Sequence, residues 1–496
     1  VTDILPKGNN MLHIMTPCHR LLTITAAFTL LSACAVGPDY VRPAATPVMP
    51  EAYKEANGWK QAQPRDEAVK GAWWQIFNDP QLNALEEQVA ISNQNVLAAE
   101  AQFRQASALV RSAKAGYYPT VSVGASVTNS RQSASMGGSG TNGTTTTESL
   151  PVDISWEADI WGRIRRSVEA SRASAQASAA DLAAARLSAQ ATLAQAYFQL
   201  RALDAQKQLL MTTVSYYQKS LDLTRNRYAS GVAAKSDVLQ AETQLKSTQA
   251  QAIDTGVQRA QLEHAIALLI GKPASSFSLA VAPLAATPPA IPAGLPSQLL
   301  ERRPDIAAAE RRVAAANAQI GVAEAAWYPT VRLSASGGLE ATSLSRWLTW
   351  PSRFWAVGPS VSETLFDGGL RGSQNDQARA AYDANVAAYR QAVLTGFQEV
   401  EDNLAGLAIL ENEARVQEEA VAAARQSVVI TDNQYKAGIV SYLNVLVAQT
   451  AELANKRTAI DIQGRRMVAG VLLIKALGGG WDATELPTGE KLEKGK

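Results

Sequence analysis

Tyr117-Tyr118-Pro119-Thr120-Val121-Ser122-Val123 and Trp327-Tyr328-Pro329-Thr330-Val331-Arg332-Leu333 are two occurrences of one junction. Each closes an Ala-rich helical pattern and opens a run in which apolar and polar residues alternate. The proline ends the helix, because the residue before it is pushed out of helical geometry. The residues beyond it have the two-residue period of a strand with unlike faces. A helix that becomes a two-faced strand at a fixed point, twice, predicts a barrel built onto a helical body.

After the first junction, Val121, Val123, Ala125 and Val127 share one face, and Thr120, Ser122, Ser126 and Thr128 the other. Leu150, Val152, Ile154, Trp156, Ala158 and Ile160 then alternate with Pro151, Asp153, Ser155, Glu157 and Asp159 in a return strand. Ser133 to Ser149, rich in Gly, Ser and Thr, reads as an exposed loop between them. The second copy sets Val331, Leu333, Ala335 and Leu339 against Thr330, Arg332, Ser334 and Ser336; its return strand groups Trp355, Val357, Pro359 and Val361 and breaks at Glu363. A soluble hairpin with one face on a core gives the same alternation. Length, roughly ten residues per strand, and carboxylates confined to one face favour membrane strands with the apolar face toward lipid. Trp347, Trp350, Phe354 and Trp355 suit an aromatic girdle or, equally, packing under a loop.

Before the first junction a helical pattern runs from about Leu82 to Gly116, with Pro80 at its first position and Asp79 or Asn78 as cap. After Trp161-Gly162-Arg163 an unbroken pattern reaches Ala229, which as one helix spans about 100 Å. It stops at Tyr228-Ala229-Ser230-Gly231, with Gly just past the end, and a second helix runs from about Ser236 to Leu269. The whole plan then repeats. Tyr118-Pro119 returns as Tyr328-Pro329, and Tyr228 and Gly231 return as Tyr435 and Gly438, in the same order. This is an internal duplication: residues 81–271 form the first repeat, a Pro-rich linker covers 272–298, the second repeat covers 299–478, and a tail covers 479–496.

The 496 residues are 47% apolar but only 6% aromatic, so much of the apolar count is alanine, suited to closely packed helices. Lys and Arg number 46 against 45 Asp and Glu, a net charge of +1 that offers nothing to nucleic acid. No run of 18 apolar residues is present, so membrane crossing would fall to strands. The three histidines are His13, His19 and His264; with a leader removed only His264 remains, too few for a His-based triad or a multi-His metal site. No catalytic residues, no metal site and no cofactor are expected.

From Met11 or Met15, either of which fits the true start, Arg20 precedes an apolar stretch, Leu21 to Leu31, as in a secretory signal. Leu31-Ser32-Ala33-Cys34 resembles the bacterial lipoprotein cleavage box. That resemblance implies a signal peptide over residues 1–33, a lipid on Cys34 and, with Ala35 after it, sorting to the outer membrane. Residues 34–80 form an extended segment that begins Cys34-Ala35-Val36-Gly37-Pro38-Asp39-Tyr40.

Leu299-Leu300-Glu301-Arg302-Arg303-Pro304-Asp305-Ile306, Ala309-Glu310, Ile320-Gly321, Tyr328-Pro329 and Leu365-Phe366-Asp367-Gly368-Gly369 together resemble the signature of TolC-like outer-membrane efflux proteins. The Cys34 to Pro43 start is similar to their nodulation-type lipoprotein branch, which serves resistance–nodulation–division pumps. Four strands cannot close a barrel alone, and open edges are not tolerated in lipid, so several chains must pool strands. The resemblance implies a homotrimer: one twelve-stranded β-barrel continued by an α-helical tunnel, anchored in outer-membrane lipid with a long periplasmic extension. It further implies a passive conduit for drugs or other toxic small molecules, with a periplasmic adaptor protein and an inner-membrane transporter as partners. A type I protein-secretion channel shares the fold and is the alternative. Asp153, Glu157, Asp159 and Arg332 are then expected to face the lumen, and the turns at Gly231 and Gly438 to meet the adaptor. Tyr435, Leu443, Asn444 and Val447 fall at the family's periplasmic gate. Val447 stands where many relatives carry Asp, so an apolar constriction at Leu443 and Val447 is expected, with Asn444 and Tyr435 bonding between chains. Packing of one helix on its neighbour would account for Leu443 and Val447 equally well.

Overall fold

The computed structural model describes residues 36–46, 50–56, 71–131, 143–284, 288–289, 291 and 299–494. Cys34, Met11, Met15 and residues 285–287, 290 and 292–298 of the Pro-rich linker lie outside these residues. The chain divides into two compact units, and each draws on both halves of the sequence. One comprises residues 108–173 and 314–384 with the described N-terminal residues up to Val41; the other comprises residues 42–107, 174–313 and 385–496.

In the order of the chain, α1 (Pro80–Ser92) and α2 (Gln94–Ala115) precede β1 (Thr120–Val123), β2 (Ser126–Arg131) and β3 (Thr144–Ala158). The hairpin of α3 (Arg163–Ala229) and α4 (Lys235–Leu269) comes next. The second half repeats the plan with α5 (Pro304–Ala325), β4 (Thr330–Ala341), β5 (Arg353–Ser362), α6 (Leu370–Lys436) and α7 (Tyr442–Ala476). Both long helices, α3 and α6, have 67 residues, and both partners, α4 and α7, have 35. No described helix is long and apolar enough to cross a membrane.

Asp79 caps α1 as expected, its Oδ1 accepting the Gln81 and Leu82 N–H groups. The single helix expected from Leu82 to Gly116 is two helices. Asn93 separates them: its Oδ1 accepts the Asn95 and Val96 N–H groups, capping α2, while its Nδ2 donates to the Leu269 carbonyl at 2.7 Å. A tertiary partner at the end of α4 therefore holds the break open.

The sheet is antiparallel throughout, with β1 and β2 on one edge, β3 and β4 central, and β5 on the other edge. β1 and β2 keep one register against β3 and are a single strand interrupted opposite Pro151. The Gly124 N–H donates to the Pro151 carbonyl at 3.0 Å, but Pro151 has no N–H to return. β3 already begins at Thr144, so the last residues of the expected 133–149 loop are strand; residues 132–142 lie outside the described set. β5 ends at Ser362, directly before the expected break at Glu363.

The unit that holds residues 174–313 has its core between helices. The Trp73, Trp74 and Phe77 side chains pack with Phe198 of α3, the Phe77 and Phe198 rings 4.9 Å apart. Two buried ion-pair groups stand out in this unit: Asp204 of α3 takes Arg201 and Arg259, and Arg303 takes Asp305 and Glu399. Such pairs persist in a low-dielectric interior because removing one partner would strand a buried charge.

Candidate functional site

The register sorts the strand residues into two faces. Val121, Ile154, Ala335 and Val357 lie in one row, Val123, Val152, Gly337 and Trp355 in the next, and Trp156, Leu333 and Pro359 in a third. These rows make one apolar face, and among the described residues no other layer covers it: Val121, Val123, Trp355, Val357 and Val361 are all exposed, Trp355 at 80%. The opposite face carries Thr120, Ser122, Asp153, Ser155, Glu157, Arg332, Ser334, Ser336 and Ser360. The alternation read from the sequence is therefore in phase across all four strands. Both sheet edges are free of pairing partners within the described residues, a geometry that calls for further strands from elsewhere.

Asp153, Glu157 and Arg332 all project from the polar face. Glu157 and Arg332 are register partners, 3.9 Å apart at their charged atoms, and Glu157 also takes Arg163 at 2.8 Å. Asp159 departs from expectation: it lies just beyond β3, and its carboxylate accepts the Ile164 and Arg165 N–H groups at 2.8 Å, starting α3. Asp367 plays the equivalent part before α6, accepting from Gly369 and Arg371. Carboxylates suit this place because the first N–H groups of a helix lack intrahelical partners.

At the helix-to-strand junctions the two copies are tied into one collar. The Trp156 Nε1 donates to the Tyr117 carbonyl at 3.0 Å and the Trp161 Nε1 to the Pro329 carbonyl at 2.8 Å. Trp161 also stacks on Tyr328, centroids 4.8 Å apart. The extended segment is clamped onto this collar. Arg166, nearly fully buried, donates to the Val36 and Gly37 carbonyls and pairs with Asp39 at 3.0 Å. Asn317 donates to the Pro38 carbonyl. Gly37, at φ 96°, lies against Gly321 with no room for a side chain on either. Gly321 stood out in the sequence, whereas Arg166 did not; its signal was the basic cluster Arg163, Arg165, Arg166 beside a Trp-Gly turn.

Two hairpin turns form the other candidate region. Gly231 and Gly438, at φ 76° and 78°, each occupy the left-handed position that ends a helix. The Val232 N–H closes on the Arg227 carbonyl and the Ile439 N–H on the Gln434 carbonyl, so both ends share one geometry. Tyr217, Leu221, Val238, Ala241, Leu245, Tyr435, Tyr442 and Val445 pack the two hairpins together. Tyr435 belongs to this core: it is 4% exposed, meets Tyr442 edge-on at 5.5 Å and lies under the Arg227 guanidinium. Its hydroxyl is buried without a hydrogen-bond partner within the described chain. Leu443, Asn444 and Val447, in the first two turns of α7, are not covered in this way, and Val447 is 62% exposed. The structure thus separates the four expected gate residues into one packed and three presented. Among the described residues no cluster of His, Cys, Asp and Glu could hold a metal ion.

Residues 85–272 and 295–479 match the family described as outer membrane efflux protein. The toluene efflux pump outer membrane protein TtgC of Pseudomonas putida is 30% identical over 468 residues, 93% of this chain and 96% of the relative. The cation efflux system protein CusC of Escherichia coli is 30% identical over 94% of this chain and 100% of its own length. Among solved structures, the outer-membrane channel OprN superposes with a TM-score of 0.84 at 31% identity, covering 90% of this chain and all of that one. The outer membrane protein VceC of Vibrio cholerae gives a TM-score of 0.77 at 30% identity, over 83% of this chain and all of that one.

Proposed function

The chain belongs to the outer membrane efflux protein family, and from that membership we propose how its own residues make a conduit. It is an outer-membrane channel of a tripartite efflux pump, with a helical tunnel continuing a membrane β-barrel. The observation that carries the reading is the four-strand sheet with one face apolar and exposed, the other polar, and two open edges. A sheet of this kind is stable in lipid only when copies pool their edges, since unpaired N–H and C=O groups are costly there. Three copies supply twelve strands, with apolar rows toward lipid and Asp153, Glu157 and Arg332 toward water in the lumen.

The barrel requires no catalytic group, and cargo passes down a gradient maintained by an inner-membrane transporter through a periplasmic adaptor. The exposed hairpin turns at Gly231 and Gly438 are the adaptor-facing ends. Leu443 and Val447, apolar and presented rather than packed, narrow the tunnel, with Asn444 beside them. Cys34 carries the lipid anchor, and the Arg166 clamp on Val36–Asp39 holds the chain that leads to it. The names of the relatives span toluene and cations, so the lumen is proposed as a permissive path for small toxic molecules, selected upstream of it.

Single-channel recording in planar bilayers tests the gate. Leu443→Ala with Val447→Gly removes side-chain bulk from the constriction and is expected to raise conductance or open probability over wild type. Unchanged conductance would assign both residues to packing between neighbouring helices instead.

A further inference from the structure

The end of the sheet opposite the helix junctions carries a feature that conduction leaves unused. Between β4 and β5 the chain forms a helical turn at Leu344–Trp347, which packs against β3 and β4, and a second at Trp350–Ser352. The stretch 342–353 contains Arg346 and Arg353 and no carboxylate. Trp347 is half-buried, but Leu344, Leu348 and Trp350 are exposed, as is Trp355 just inside β5. Trp355 and Arg353 both lie on the apolar face, opposite Gly337 and Leu339. This loop therefore continues the lipid-facing surface at its outer rim.

The two arginines are differently disposed. The Arg353 guanidinium lies over the Trp350 ring at 3.1 Å, and its Nε donates to the Trp350 carbonyl, which leaves its terminal nitrogens at the surface. The Arg346 side chain is exposed and makes no ion pair among the described residues. Arg131, at the end of the edge strand β2, adds a third exposed cation at the same end of the sheet. Of the acids at this end, Glu148 is buried on the apolar face, and the exposed Glu340 belongs to the opposite, polar face.

We propose that this rim binds the phosphate-bearing headgroups of the leaflet it meets, with Arg346 and Arg353 on phosphate and Leu344, Leu348, Trp350 and Trp355 at the acyl border. Amphipathic rings settle at the boundary between hydrocarbon and water. A guanidinium fits a phosphate with two parallel hydrogen bonds, and one held on an aromatic face loses little freedom on doing so. Charge complementarity and continuity with the lipid-facing sheet both select an anionic lipid surface as the occupant. The inference rests on the membrane-channel reading above.

The test uses the purified full-length protein in detergent, with bisphosphorylated lipid A and its dephosphorylated form as probes. Retained lipid is read by native mass spectrometry and binding by tryptophan emission. Wild type is expected to retain the phosphorylated probe in preference to the other. Arg346→Gln with Arg353→Gln is expected to weaken binding roughly thirty-fold, from the contribution of each basic side chain near an anionic surface. Arg346→Lys with Arg353→Lys keeps both charges but loses the paired hydrogen bonds, and is expected to bind more weakly than wild type and more tightly than the double Gln variant. Equal retention by wild type and the double Gln variant, or equal retention of both probes, overturns the proposal. Planar-bilayer conductance separates the two levels: a double Gln variant with wild-type conductance and wild-type retention overturns only the rim assignment. A wild type that forms no channel overturns the membrane reading and the rim with it.

Discussion

Replacing Glu86 by Gln should make the protein more stable, and increasingly so as pH rises. Glu86 lies in α1 with no exposed surface, and both carboxylate oxygens lack a partner within the described chain. Burial alone pushes its pKa from the ordinary 4.5 up to about 9. The folded protein therefore keeps this proton at neutral pH, whereas the unfolded chain gives it up above pH 4.5. Stability linked to Glu86 is full below about pH 4.5, declines as pH rises, and is exhausted once pH passes about 9. At pH 7, about 2.5 units above the unfolded value, the loss is about 3 kcal/mol. Gln has the same shape and cannot ionise, so it removes the penalty while leaving the packing intact. Thermal melting of the helical circular dichroism signal, run for wild type and Glu86→Gln at about pH 4.5, 7 and 8.5, reads the effect across the window that the shift defines. The two proteins should melt together at the lowest pH and diverge upward. Parallel curves at all three pH values would refute the reasoning, and so would a variant less stable at neutral pH, because either result means Glu86 is ionised and paired in the assembled protein.

Tyr435→Phe should leave conductance unchanged and stability equal or slightly higher, because the hydroxyl it removes is buried and unpartnered. Tyr435→Ala should cost about 3–5 kcal/mol, the usual toll for emptying an aromatic site; a rise in conductance for the Phe variant would instead place the hydroxyl in the gate. Gly338→Val should sharply lower the amount of heat-resistant oligomer on denaturing gels, because a Cβ there meets the Leu150 carbonyl and lies 3.0 Å from the Pro151 Cα. The cost is about 1–3 kcal/mol or more, whereas Gly358→Ala, which faces open space, should assemble normally.

Much of this architecture was written in local signals. The two Tyr-Pro-Thr-Val junctions, the ends of α3 at Arg163 and Ala229, and the glycines at 231 and 438 depend on proline sterics, left-handed backbone and periodicity, all visible in one dimension. The break at Asn93 was hidden because its reason is a carbonyl 176 residues away. Thr144 to Ser149 read as loop because their composition is that of a linker, although pairing with β2 makes them strand. Asp159 was drawn onto the strand because the alternation runs on past its end, where capping takes over. Tyr435 and Val447 looked alike as helix residues near a turn; only the packing of the second hairpin decides that one is covered and the other presented.

The central claim is that the open edge of β1 in one chain pairs with the open edge of β5 in the next until three chains close. Cysteine cross-linking reads this directly: Ser122→Cys on one edge is combined in turn with Gly358→Cys, Ser360→Cys and Ser362→Cys on the other, and the oxidised membranes are run on non-reducing gels. At least one combination is predicted to give covalent dimers and trimers, with nothing larger. Monomer alone in every combination, or a ladder that continues beyond three, would contradict the account.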